Sequence, residues 1–191
     1  MIKEFKIIDE LDVRGMENTV NEMRELLEKL SYGEMSNEND YTLSDLKNFC
    51  VSLIDGQRND INGLKLGSWC LAPSVSGMPS DARVYLVFVP TYIAIAILTR
   101  VLLDYPEIPK QISNYEEVLR RGFKFATYRR LRGHGIGAGS EMIEAIEILS
   151  YGKVVEYLLS NPDFCPELLQ ILRDIRKELA NALESGAVKG P

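Results

Sequence analysis

Residues 84–103 read VYLVFVPTYIAIAILTRVLL, a mostly apolar run long enough either to cross a bilayer or to form the central helix of an all-helical domain. Three features point to the central helix. Pro90 interrupts the run, Arg100 lies in its last turn, and no second run of comparable hydrophobicity exists to pack beside it in lipid. The expectation is therefore a helix over 82–104 at the centre of the fold and no membrane span. It should end near Tyr105, because Pro106 and Pro109 follow and cannot continue it.

Helical periodicity covers most of what flanks this run. Val13, Met16, Val20, Met23, Leu27 and Leu30 recur at steps of three and four and share one helix stripe, which Gly33 closes. The polar stretch 37–40 reads as a connector. Thr42 or Ser44 can cap a second helix carrying Leu46, Phe49, Cys50, Leu53 and Ile54. Ser113 and Glu116 have capping-box spacing and predict a helix from there to about Leu131. Glycines at 133, 135, 137 and 139 break it. A fifth helix from Ser140 carries Met142, Ile143, Ile146 and Leu149 and continues, bent at Gly152, through Val155, Leu158 and Leu159. The last begins around Pro166 and aligns Leu168, Leu172, Ile175, Leu179 and Leu183. The tail 186–191 reads as a frayed end. Only 5–8 and 123–127 hint at strand. The fold class is thus all-α, with six or seven helices in antiparallel hairpins forming a single domain over 1–191.

Charge and cysteine usage narrow the function classes. Acidic residues outnumber basic ones 28 to 22, giving a net charge of −6, which argues against nonspecific nucleic-acid binding by the whole molecule. Cys50, Cys70 and Cys165 are three widely spaced cysteines accompanied by a single histidine, His134. They read as reduced thiols in a cytoplasmic protein and do not make a zinc set. The first dozen residues are charged and lack the apolar core of a signal peptide. No cofactor is expected.

Between the second helix and the central one lies a Gly- and Ser-rich loop, 55–81, which carries the only tryptophan, Trp69. An indole has too much apolar area to leave in water, so this loop is expected to be pinned to the helices. Phe49, Gln57 and the triplet Gly67, Ser68, Trp69 before a helix N-terminus resemble the QW repeat of the terpenoid cyclases, which share the α/α toroid fold with the protein prenyltransferases. In that family the glutamine and tryptophan brace helix ends and do not perform catalysis. Here nine residues separate Gln57 from Gly67, and the Asp-x-Asp-Asp acid motif and the prenyltransferase zinc ligands are missing. The resemblance implies a helical-hairpin scaffold, a partial α/α ring at this length, and no activity.

Four places invite chemistry. In 130–141, RLRGHGIGAGSE, glycine N–H groups precede a helix start, and Arg129, Arg130, Arg132 and His134 add charge, so a phosphate or diphosphate fits. A plain turn with solvated arginines is the expected reading, because a dinucleotide-type glycine loop follows a strand. His134 has no partner acid nearby except Glu141 and reads as structural. Arg120, Arg121, Lys124, Arg129, Arg130 and Arg132 interleave with Tyr115, Phe123, Phe125 and Tyr128, a pattern shared by single-strand nucleic-acid binders and half-buried helices. Asp81, Arg83 and Tyr85 open the central helix beside the Trp loop; Asp81 suits an N-cap, or an acid in a Trp-walled hollow. Tyr85 and Tyr92 lie seven apart and can line a pocket, while Arg100 and Asp104 should pair.

Two functions follow from these residues. One is a noncatalytic helical domain that binds a small apolar or anionic ligand or a protein partner through Trp69, Arg83, Tyr85, Tyr92, Arg130 and Arg132, with a homo-oligomer left open. The other is a small isoprenoid- or lipid-related enzyme using Asp81 or His134 as acid or base.

Overall fold

The computed structural model describes residues 1–8, 12–33, 41–59, 67–74, 84–131 and 153–184. Among these are six α-helices: α1 (Val13–Tyr32), α2 (Leu43–Gly56), α3 (Val89–Asp104), α4 (Tyr115–Leu131), α5 (Val154–Ser160) and α6 (Pro166–Glu184). The described residues form no strand; their β character is a single antiparallel bridge between Arg58 and Ser68. The expected all-α class, with six to seven helices, is what is found.

α3 is the hub, and α1, α4 and α5 all pack on it. Its residues from Val89 to Thr99 are all buried. The stretch Leu86–Asp104 is, among the described residues, the one helical segment long and apolar enough to cross a membrane, and most of it is enclosed by protein. α4 returns antiparallel to α3 after the turn at Pro109–Gln111: the Tyr115 hydroxyl donates to the Leu98 carbonyl at 2.8 Å, and Phe125 stacks on Phe88 with centroids 5.8 Å apart. α6 packs against α4 and α5, where Phe123, Tyr157 and Phe164 meet edge to face.

The helix ends follow local chemistry. Asp12 caps α1 by accepting from the Gly15 N–H, and Gly33, at φ 70°, closes it by donating to the Lys29 carbonyl. Of the two candidate caps for α2, Thr42 is the one used: its hydroxyl accepts from the Asp45 N–H while Asp45 accepts from the Thr42 N–H, a complete capping box. α4 starts slightly later than its capping-box spacing suggests. Asn114, at φ 63°, stands before it and its carbonyl accepts from the Val118 N–H.

The fifth helix needs a correction. Lys153 adopts left-handed backbone, φ 56°, which breaks the i to i−4 ladder, so α5 begins after it rather than continuing through from a bend at Gly152. Its inward residues are Val154, Tyr157 and Leu158, and Leu159 faces solvent. Met142, Ile143, Ile146 and Leu149 lie outside the described residues, as do Gly152, the connector 37–40 and the tail 186–191.

α3 is preceded by one turn of π-helix, Val84–Phe88. Pro90 accounts for it. A proline in the first α turn offers no N–H to the Leu86 carbonyl, and its ring presses on that carbonyl, so the chain widens just upstream. The freed Leu86 carbonyl accepts instead from the Leu71 N–H at 3.0 Å. Proline therefore moves a helix bond to the loop.

Candidate functional site

That loop carries the tryptophan, and the bonds around it form a knot between helices far apart in sequence. Trp69 is fully buried. Its indole N–H donates to the Leu53 carbonyl in the last turn of α2 at 2.6 Å, and its backbone N–H donates to the Thr91 hydroxyl on α3 at 2.9 Å. Thr91 in turn donates to the Val87 carbonyl. Gln57, buried, donates from Nε2 to the carbonyls of Gly67, at 3.2 Å, and of Val118 on α4, at 2.8 Å. Arg58 and Gly67 close the loop: the Gly67 N–H donates to the Arg58 carbonyl and the Arg58 N–H to the Ser68 carbonyl, both at 2.8 Å.

Two glycines make room for this knot. Gly67 has φ 83°, and a Cβ there would run into the Arg121 carbonyl. Gly122 on α4 faces the indole, and a Cβ there would sit 2.8 Å from its Cζ3. Gln57 and Trp69 thus tie the end of α2 to α3 and α4.

Of the sequence-derived site residues, Trp69, Tyr85, Tyr92 and Arg130 lie among the described residues. Trp69 and Tyr92 are core side chains, buried with the hub. Tyr85 stands in the π-turn and Arg130 in the last turn of α4. Asp81, Arg83, Arg132, His134 and Glu141, with the glycine turn 133–139, lie outside the described residues. The aromatic and basic residues of α4 separate: Tyr115, Phe123 and Phe125 point into the core. Arg120 covers the Phe164 ring at 4.8 Å and pairs with Glu117, while Arg121 donates to Asn59 at 3.0 Å. These side chains serve α4's own packing, and the described aromatics do not form a base-stacking platform. Arg100 and Asp104 pair as expected, and Arg100 also donates to the Ser31 carbonyl at 3.3 Å.

Titratable groups in the core are few. The Cys50 thiol is pushed up to about 12 by burial, beside the Tyr115 hydroxyl. Burial likewise raises Tyr115 well above the ordinary tyrosine value. Both are neutral at physiological pH. Among the described residues, no three His, Cys, Asp or Glu side chains gather into a metal site.

A recessed surface among the described residues lies elsewhere. An open hollow of roughly 720 Å³ runs between the N-terminal segment and α2, with Lys3, Phe5 and Lys6 on one wall and Val51, Ser52 and Asp55 on the other. Residues 1–8 belong to no helix or strand and form an arm along α2. Ile2 and Phe5 are buried, the Phe5 N–H donates to the Ser52 hydroxyl at 2.8 Å, and the Ile8 N–H donates to the Leu71 carbonyl at 2.8 Å. Lys3 pairs with Asp45 at 3.5 Å. Sequence reasoning found only a short ambiguous run at 5–8; the signal it left unused is the three-residue spacing of Ile2, Phe5 and Ile8. Comparison with known protein families, with curated proteins and with solved structures finds no match to this chain.

Proposed function

We propose that this chain is a noncatalytic helical binding domain that holds a protein partner in the hollow between its N-terminal arm and α2. The observation that carries the reading is the hollow itself, which is open along its length and mixes apolar and charged walls. Small-molecule sites enclose most of their ligand, whereas a protein surface needs an accessible trough with apolar flanks. α2 supplies an apolar flank in Val51, which lines the hollow and is 36% exposed, and Leu43, 59% exposed, shares its helix stripe. The knot at Gln57 and Trp69 supports a toroid-like scaffold behind this surface, with helix ends braced so that α2 is presented rigidly.

A photoreactive amino acid placed at Val51 tests the reading in cells. The expected result is one defined protein adduct from position 51, lost when Leu43→Asp is added, and none from the exposed control position Glu156 on α5. Equal labelling from both positions would sink it.

A further inference from the structure

The arm is a short segment without helix or strand that packs on α2 through two buried side chains. Its anchors, Ile2 at 6% and Phe5 at 5% exposure, are three residues apart, and Lys3 and Glu4 between them are solvent-exposed. The pocket for Phe5 is made for an aromatic ring. Gly56 ends α2 beneath it, and a Cβ there would lie 2.5 Å from the ring, so the ring occupies space that glycine alone leaves. Ser52 has a fixed hydroxyl, donating to the Phe49 carbonyl at 2.8 Å and so presenting its lone pairs to the arm's main-chain N–H. Asp45 lies opposite Lys3 and prefers a cation there.

Main-chain acceptor, aromatic pocket and carboxylate are the parts of a peptide site, filled here in cis. Resting on the binding-domain reading, we infer that the arm is an intramolecular ligand and that the α2 site accepts, in its place, a partner segment of the same chemistry. That segment carries an aliphatic residue, a basic residue next to it, and an aromatic residue three positions beyond the aliphatic one. The hollow is where such a partner first meets α2, and its segment then takes the arm's place there, so the arm and the segment exclude one another on α2. A tethered arm competes at high effective concentration, so the intact chain binds such segments weakly until the arm lifts.

The test uses the full chain and a fluorescent peptide of sequence MIKEFKII. Phe5→Ala should bind the peptide saturably and about tenfold or more tighter than the unsubstituted chain, since the competitor has lost its main anchor. Adding Gly56→Ala, which fills the vacated ring space, should abolish that binding while the thermal melt and Trp69 emission stay those of a folded protein. A second arm does not depend on the variant folding: a peptide with a photoreactive ring at its fifth position, mixed with the unsubstituted chain, should label α2. Absence of saturable binding by folded Phe5→Ala overturns the proposal, as does labelling that misses α2. A dimer of the unsubstituted chain that dissociates on adding peptide would overturn the partner assignment, because the site would then hold a second copy's arm. A partner adduct at Val51 that excess peptide leaves undiminished would keep the binding-domain reading and overturn the exchange.

Discussion

Gly122 shows how little space a single residue controls. A methyl at this position would meet the indole of Trp69 on one side and Ile95, 3.1 Å away, on the other, and both neighbours are fully buried. Gly122→Ala should therefore destabilise by about 1–3 kcal/mol despite its better helix propensity, seen as a lower denaturation midpoint at unchanged slope. Cys50 gives a second residue-scale outcome, at high pH. Its folded-state pKa is raised to about 12, so the folded form holds a proton that the unfolded chain loses above about pH 8.5. Stability from this thiol is complete below that pH and falls by about 1.4 kcal/mol per unit as pH rises toward 12. Melts of Cys50→Ala between pH 8 and 10 should show a shallower decline. The burial of Trp69 was legible in the sequence because ring area alone argues for it. The roles of Gly122 and Thr91 were not, since a glycine within a helix and a threonine within an apolar run look the same whichever element passes beside them.

At the scale of elements, the helices with a clean stripe were legible and the junctions were not. α1 buries Met16, Val20, Met23, Leu27 and Leu30 as its spacing predicts, with Leu26 added to the stripe. α5 departs because the backbone of Lys153 turns left-handed, a conformation decided by tertiary packing and invisible to periodicity. The arm was missed for a related reason: a segment without helix or strand lacks a sustained period, and the spacing of Ile2, Phe5 and Ile8 is too short a run to mark an element. The π-turn is the junction with the sharpest consequence. Pro90→Ala would return an N–H to the register of the Leu86 carbonyl, which would then have a helix donor competing with Leu71. The expected outcome is faster amide hydrogen exchange at Leu71, by about tenfold or more, with α3 itself unchanged or firmer. Protection of Leu71 equal to that in the unsubstituted chain would show that proline does not create the bond.

Across the whole molecule, the all-α class and the central position of α3 were legible, while the site was legible only as loose candidates. Half of those candidates, Asp81, Arg83, Arg132 and His134, fall outside the described residues, and Trp69 and Tyr92 are core. The knot gathers α2, α3 and α4 through bonds that span long stretches of chain, the longest from Gln57 to Val118, 61 residues apart. Such a contact has a consequence in time. Closing a chain segment that long costs entropy that local helix formation does not, so α3 and α4 can pair through their short turn well before Gln57 reaches its two carbonyls. Gln57→Ala, which leaves those buried acceptors without their donor, should cost about 1–3 kcal/mol and express it mainly as faster unfolding, with the refolding rate nearly constant in stopped-flow measurements. The lifetime of the native state, more than its speed of formation, is then set by one amide group at the end of α2.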